Sequence, residues 1–292
     1  MPGKNSSRFL LLITAVIWGL AFTAQRAGME HLGPMAFNSL RFTLGTLVLT
    51  PLFAKRISRK FMLEGIFAGT VLFTGAALQQ WGIVYTTASK AGFITGLYIL
   101  FVPLFGLFTG HKEGRKLWAG IALALPGLWL LSFSEGFERI NPGDMLVLAG
   151  AVSWAIHVRL TGKYAGEFHP GGFAVVQFST VALISGAAAL LSGESWAGTP
   201  RAWLPLAYSG FLSVGIAFTI QVFAQRTVKP ASAALIMSLE AAFAVLGGWL
   251  VLGESMTGCE LSGAALMFAG ITVSQISSCH KPIRNRTIQQ DS

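Results

Sequence analysis

Apolar runs of about 20 residues recur along the whole chain, and short charged or Pro/Gly-rich joints separate them. Each run is long enough to cross a bilayer as one helix with some tilt. The pattern predicts an all-α integral membrane protein with ten transmembrane helices and no room for a soluble domain. The predicted spans are 9–28, 34–54, 62–83, 90–110, 116–134, 143–163, 171–192, 202–225, 230–252 and 258–278.

The charged residues support the same number of spans. Of the 292 residues, 53% are hydrophobic and only 11% are charged, whereas a soluble domain carries about 25% charged residues. Sixteen of the 21 Lys and Arg residues fall in loops on one side of the predicted membrane, four on the other side, and Arg41 inside a span. This bias predicts a multi-pass protein of the cell inner membrane with both termini in the cytoplasm. It also accounts for the net charge of +9 without a nucleic-acid partner.

The two halves of the chain resemble each other. An offset of 136 residues aligns Trp18 with Trp154, and an offset of 143 aligns "ASKA" (88–91) with "ASAA" (231–234). Because each half has five spans, an odd number, the second half enters the membrane from the opposite side. Inverted repeats are typical of secondary transporters, which bind their substrates near the midplane between the halves. The sequence therefore predicts two inverted five-helix repeats, followed by a basic cytoplasmic tail; the ranges are 8–134, 143–278 and 279–292.

Several stretches carry a family resemblance: Trp18 with Gly19, Arg41, "YTTASKAGFITGLYILFVPLFGL" (85–107) and "KPASAALIMSLEAAFAVLGGWLVLGE" (229–254). In these features the chain resembles the EamA family of ten-span exporters in the drug/metabolite transporter superfamily. The resemblance implies a pseudosymmetric bundle around a central cavity, which alternates between open faces and moves amino acids and other small metabolites, mostly outward. In this family the ninth span often carries a Glu-Pro pair. Here Ala241 follows Glu240, so we expect a straighter ninth helix.

Two charged residues lie deep in predicted spans. Glu240 is near the centre of 230–252 and Arg41 is near the centre of 34–54, so that their depths differ by roughly 5 Å. Ionisable groups inside a membrane face the bundle interior or a wet cavity and tend to pair. Three interpretations stay open. Arg41 bonds backbone carbonyls or Glu240 and ties helices together; the two charges bind the carboxylate and the amine of a zwitterion; or Glu240 is a proton site that couples transport to a proton gradient.

Three aromatic residues are further candidates for substrate binding. Trp18, Trp154 and Tyr98 fall mid-span, too deep for an interfacial aromatic belt. They either line a cavity and stack on the substrate or fill gaps between helices.

Three polar residues complete the candidate site. Asn38 lies one turn before Arg41 on the same helix face, where it would hold the guanidinium in place. Gln177 aligns with Arg41 in the second half and keeps a polar group without the charge. His157 is either a packed hydrogen-bonding residue or a proton relay.

The sequence argues against several other functions. It contains no HExxH, no GxxxxGK[ST] and no Cys/His cluster with metal spacing, so we expect neither an enzyme nor a bound cofactor or metal. The pattern favours a secondary transporter of small metabolites that exports amino acids or similar zwitterionic or amine compounds. A transporter of phosphorylated or nucleotide-sugar substrates is an alternative, although phosphate sites usually recruit several Lys or Arg. A non-transporting scaffold or channel is another, against which the inverted repeat argues.

Overall fold

The computed structural model describes residues 3–132, 142–252 and 257–275, and its helices follow the predicted spans closely. The predicted tail, 279–292, lies outside the described residues, as does Cys279. We number the spans in chain order. Spans 1 to 5 are Lys4–Gly28, Pro34–Phe53, Met62–Tyr85, Ala88–Gly96 with Tyr98–Phe108, and Arg115–Ser132. Spans 6 to 10 are Pro142–Tyr164, Pro170–Leu191, Trp203–Ala224, Pro230–Met237 with Glu240–Leu252, and Gly258–Gln275.

The composition of the spans suits a lipid environment. Within the described residues, seven helices are long and apolar enough to cross a membrane, namely spans 1, 3, 4, 6, 7, 8 and 9. Span 2 has the length but carries Asn38 and Arg41, and spans 5 and 10 carry charged residues in their first turn. The prediction of an all-α membrane protein is confirmed.

Local sequence signals set several helix starts. Proline occupies the first position of spans 2, 6, 7 and 9, where its missing N–H would have no intrahelical partner. At span 2 the next two N–H groups are also satisfied. Met35 N and Ala36 N donate to the Glu194 carboxylate at 3.3 and 2.8 Å, and a negative charge there is favoured by the helix dipole.

Successive spans run in opposite directions between two faces of the bundle. We call the face at which the chain begins the near face and the opposite one the far face. Side chains from distant loops meet at each. Thr227 donates to Ser7 at the near face, 2.7 Å away, and Thr86 donates to Asp144 at the far face, 2.8 Å away. Because each half has five spans, the second half is inverted relative to the first.

The packing is pseudosymmetric. Span 2 packs against span 7 and span 5 against span 10, while span 1 contacts spans 8 and 9 as span 6 contacts spans 3 and 4. The pair formed by spans 5 and 10 is close because its contact positions are glycines. A Cβ at Gly120 would lie 2.5 Å from the Gly270 carbonyl oxygen, and one at Gly127 would lie 2.6 Å from that of Gly263. These small residues let the two backbones touch.

Candidate functional site

A cavity of about 480 Å³ lies inside the bundle, where two groups of spans face each other. Span 1 packs against spans 8 and 9 to form group 1, and span 6 packs against spans 3 and 4 to form group 2. Both groups contribute side chains, and span 2 adds Arg41. The lining residues are Trp18, Ala21, Phe22, Gln25, Arg41, Gln79, Thr95, Tyr98, Trp154, Val158, Ser213, Phe218, Gln221 and Glu240.

Two of the contributing spans are broken beside the cavity. Span 4 is interrupted at Leu97, and span 9 at Ser238 and Leu239. At both breaks the backbone changes to a tighter turn, since Leu97 N donates to Ile94 O at 3.2 Å and Leu239 N donates to Ile236 O at 3.3 Å. The interruption in span 9 forms although Ala241 rather than proline follows Glu240, and the expectation of a ninth helix straighter than is usual in the family stays a prediction. Discontinuous helices at mid-depth are a feature of transporter binding sites.

Each break presents one functional side chain to the cavity. Tyr98 is the first residue of the second helix of span 4, and Glu240 is the first residue of the second helix of span 9. A carboxylate at this position is stabilised by the positive end of the helix dipole. This is a physical reason why span 9 accommodates an acidic residue at mid-depth.

Arg41 and Glu240 both line the cavity, and each is 3% exposed. They do not bond each other, and among the described residues the Arg41 guanidinium has no hydrogen bond or ion pair. Arg41 Nε and Glu240 Oε1 are buried without a hydrogen-bond partner among the described residues, while the Tyr98 hydroxyl lies close enough to the Glu240 carboxyl to interact with it. The Phe42 ring lies 5.1 Å from Arg41 Cζ and offers a cation–π contact. A guanidinium and a carboxyl group thus face the same cavity, and neither bonds the other.

Two tryptophans form an aromatic wall. Trp18 Nε1 donates to the Ser213 carbonyl at 3.3 Å, and Trp154 Nε1 donates to Gln79 Oε1 at 2.9 Å. The Phe218 ring contacts both indoles, with centroid distances of 4.6 Å to Trp18 and 5.7 Å to Trp154. Since both indole N–H groups are occupied, the rings present apolar surface to a ligand.

The structure adds polar lining residues that sequence reasoning did not propose: Gln25, Gln79, Thr95 and Gln221. Gln79 Nε2 donates to Gln25 Oε1 at 3.3 Å, and Gln79 Oε1 accepts from Thr95 at 3.5 Å as well as from Trp154. From its position in the third span, Gln79 would be assigned to the outer mouth. It lies one layer deeper, where spans 1, 3, 4 and 6 meet.

Three predicted site residues lie away from the cavity lining. Asn38 donates to the Ala76 carbonyl at 3.1 Å and joins span 2 to span 3, so it does not bond the Arg41 guanidinium. His157 and Gln177 bond each other at 2.7 Å, and both are buried. The His157 ring lies edge-on to Trp154, 6.2 Å between centroids. These residues support the wall of the cavity from behind.

The described part of the chain contains no group of three or more His, Cys, Asp or Glu residues that could hold a metal ion. The chemistry of the cavity therefore rests on one guanidinium, one carboxylate, amides and aromatic rings.

Comparison with known proteins gives the family. The model of the EamA-like transporter family matches the chain twice, over residues 5–133 and 141–275. The chain belongs to the EamA-like transporter family. An uncharacterized transporter of Archaeoglobus fulgidus is 29% identical over 265 residues, which cover 90% of this chain and 83% of that protein. The threonine/homoserine exporter RhtA of Salmonella typhimurium is 26% identical over 259 residues, which cover 86% of this chain and 84% of that protein.

A solved crystal structure has the same fold as this EamA-like chain. The two superpose with a TM-score of 0.76 over 94% of this chain and 97% of the other, at 20% sequence identity. At that identity the likeness concerns the fold alone. The resemblance predicted from the sequence is confirmed, and the family sets a membrane context and a small-molecule substrate.

Proposed function

We propose that this EamA-like transporter exports amino acids or similar zwitterionic or amine compounds by alternating access through the cavity. The observation that carries the proposal is that the Arg41 guanidinium and the Glu240 carboxyl line one buried cavity without bonding each other. A buried charge without a partner is costly. A zwitterion would provide a partner for each of them.

The geometry suits such a ligand. The planar guanidinium of Arg41 matches a carboxylate through two parallel hydrogen bonds, and the Glu240 carboxylate accepts from an ammonium group. Trp18, Trp154 and Phe218 enclose the apolar part of the molecule.

Export agrees with the name of one relative, since the Salmonella protein is described as a threonine/homoserine exporter. The inner membrane as location, cytoplasmic termini at the near face and two repeats at 8–134 and 143–278 belong to the same proposal. They rest on the distribution of Lys and Arg and on the internal repeat. Coupling to a proton gradient through Glu240 is an alternative role for this residue. The experiment below distinguishes it from substrate binding.

Counterflow in proteoliposomes tests the proposal. Labelled amino acids, the corresponding amines without a carboxylate and the corresponding N-acetylated acids are offered to wild-type, Arg41→Gln and Glu240→Gln proteins. We expect wild type to accumulate amino acids. Arg41→Gln should lose them but keep the amines, and Glu240→Gln should lose them but keep the N-acetylated acids, because each variant lacks one of the two charges.

Two charge-matched variants serve as controls. Arg201→Gln and Glu30→Gln change exposed residues outside the cavity and should exchange amino acids like wild type. Unchanged amino-acid counterflow by both folded cavity variants would refute the zwitterion site. Intact counterflow by Glu240→Gln together with loss of proton-driven accumulation would instead assign Glu240 to proton coupling.

A further inference from the structure

The contacts that close the cavity differ between its two ends. Group 1 and group 2 are each held together by helix packing, so access depends on the contacts that join one group to the other. Spans 4 and 9 meet along the middle of the bundle. The remaining polar links between the groups lie above and below the cavity.

Toward the far face, two layers join span 1 to span 3. The first is the amide pair, in which Gln79 Nε2 donates to Gln25 Oε1 at 3.3 Å, and both side chains are buried. The second is Arg26, whose guanidinium donates to the carbonyls of Ile83 and Val84 at 2.9 and 3.1 Å. These carbonyls belong to the last turn of span 3, where they have no intrahelical donor and where the helix dipole attracts a cation.

Toward the near face, the polar link between the groups in the described part of the chain joins span 8 to span 6. Gln225 Nε2 donates to the Val158 carbonyl at 2.9 Å, and Gln225 Oε1 accepts from Gln221 at 3.1 Å. Val158 and Gln221 line the cavity, whereas Gln225 also lines a cleft of about 1,780 Å³ at the near face. Gln225 therefore lies between the cavity and this cleft.

The internal repeat explains the difference. The offset that aligns Trp18 with Trp154 also aligns Arg26 with Gly162, which lines the near-face cleft. Arg26 ties span 1 to the end of span 3, while its counterpart has no side chain with which to tie span 6 to the end of span 8. Within the described residues, a charged link between the groups is thus seen at the far end of the cavity, whereas at the near end span 6 packs directly on Pro230 at Gly162.

We infer that Gln25 and Arg26 form the far-face gate of the transporter and that Gln225 forms its near-face gate, the far gate being the stronger. This inference rests on the proposed alternating access. A neutral amide pair breaks at small net cost, whereas a charge-assisted bond to helix-terminal carbonyls is stronger. Opening toward the far face requires Gln25 to leave Gln79 and Arg26 to leave span 3, and opening toward the near face requires Gln225 to leave Val158.

Thiol labelling tests the two gates without any substrate. The reporter is Ala21→Cys, a buried cavity position, in a Cys259→Ser/Cys279→Ser background. A membrane-impermeant maleimide is added to right-side-out and inside-out vesicles. A chain that keeps only Cys259, exposed at the start of span 10 on the far face, identifies which vesicle exposes that face.

We expect the reporter to react faster from the near face than from the far face. Arg26→Gln should raise the far-face rate roughly tenfold, the effect of losing one charge-assisted hydrogen bond, and leave the near-face rate unincreased. Gln225→Leu should raise only the near-face rate. Arg26→Lys keeps the positive charge but lacks the planar guanidinium, so it should give a smaller increase in the far-face labelling rate. It replaces Arg26→Gln in the test if the glutamine variant does not fold.

A matched control is Thr86→Val, which removes a hydrogen bond to Asp144 at the same face but within group 2. It should leave both labelling rates unchanged. An unchanged far-face rate in folded Arg26→Gln or Arg26→Lys, or an equal increase from both faces, would overturn the gate assignment. Because no substrate is needed, this result is independent of the counterflow result.

Discussion

Alanine at position 19 tests how closely spans 1 and 9 must pack beside the cavity. A Cβ at Gly19 would lie 2.6 Å from the Glu240 carbonyl oxygen and 2.8 Å from the Phe243 carbonyl carbon, and still closer to the Phe243 Cβ. Non-bonded carbons prefer about 3.5–4.0 Å, so one of the two backbones has to move by about 1 Å. Overpacking of this kind costs about 1–3 kcal/mol.

The net effect of Gly19→Ala is smaller than the steric cost, because alanine favours a helix over glycine by up to about 1 kcal/mol. The added Cβ would meet backbone atoms rather than the end of a flexible side chain, so we expect the steric cost to lie near the upper end of its range. The net destabilisation is then about 2 kcal/mol. Thermal unfolding in detergent measures it as a lower melting temperature. Counterflow on the folded protein should also slow, because Glu240 is displaced with span 9.

The control is Gly258→Ala at the start of span 10, where an added Cβ meets nothing within 4 Å. This variant should melt at or above the wild-type temperature because only the helix preference changes. A Gly19→Ala protein that melts and transports like wild type would refute the claim that the close approach of spans 1 and 9 shapes the site.

Two further predictions concern charged groups near the ends of spans. Lys90 Nζ and Asp144 Oδ2 lie 2.9 Å apart with 8% and 6% of their side chains exposed, so Asp144→Asn should lower stability by about 3–5 kcal/mol. Lys90→Met/Asp144→Leu should recover much of that loss in thermal unfolding, and an equal loss in the double variant would contradict the reasoning. At the start of span 7, burial and the nearby Arg56 and Arg226 lower the pKa of His169 from 6.5. The folded protein then binds this proton less readily than the unfolded chain, so the contribution of His169 is complete above pH 6.5 and is lost as the pH falls. Melting temperature measured from about pH 7 to pH 5 should therefore fall more for wild type than for His169→Asn, which caps the helix without titrating; parallel curves would refute this.

The number and position of the spans could be predicted because membrane thickness fixes the length of an apolar run. The breaks in spans 4 and 9 could not. The break at Ser238 and Leu239 has no proline or glycine beside it, and although Gly96 precedes the break at Leu97, a single glycine in an apolar run does not by itself predict an interruption. The π-helix Tyr208–Phe218 within span 8 could not be predicted from the sequence either. Such irregularities are stabilised by tertiary contacts, among them the bond from Trp18 to the Ser213 carbonyl.

The candidate site was predictable to the extent that its residues are unusual at mid-depth. Arg41, Glu240, Trp18, Trp154 and Tyr98 line the cavity, and a charge or a large aromatic ring at the centre of a span is a strong signal in itself. Amide and hydroxyl side chains give a weaker signal, because they can hydrogen-bond to a neighbouring helix as easily as they can line the cavity. Hence Asn38, which donates to the Ala76 carbonyl, was proposed for the site, and the cavity-lining Gln25 was not.

The difference between the halves explains how a pseudosymmetric bundle obtains a site with distinct ends. The repeat aligns Arg41 with Gln177, but the two side chains differ in their hydrogen-bond partners. Gln177 Oε1 lies 2.7 Å from His157 Nε2, and the amide also donates to the Phe173 carbonyl, so its bonding capacity is used inside the second half. Arg41 has no such partner and faces the cavity. Under the proposed function, a positive end on one side only would give an asymmetric ligand such as a zwitterion a single preferred orientation between Arg41 and Glu240.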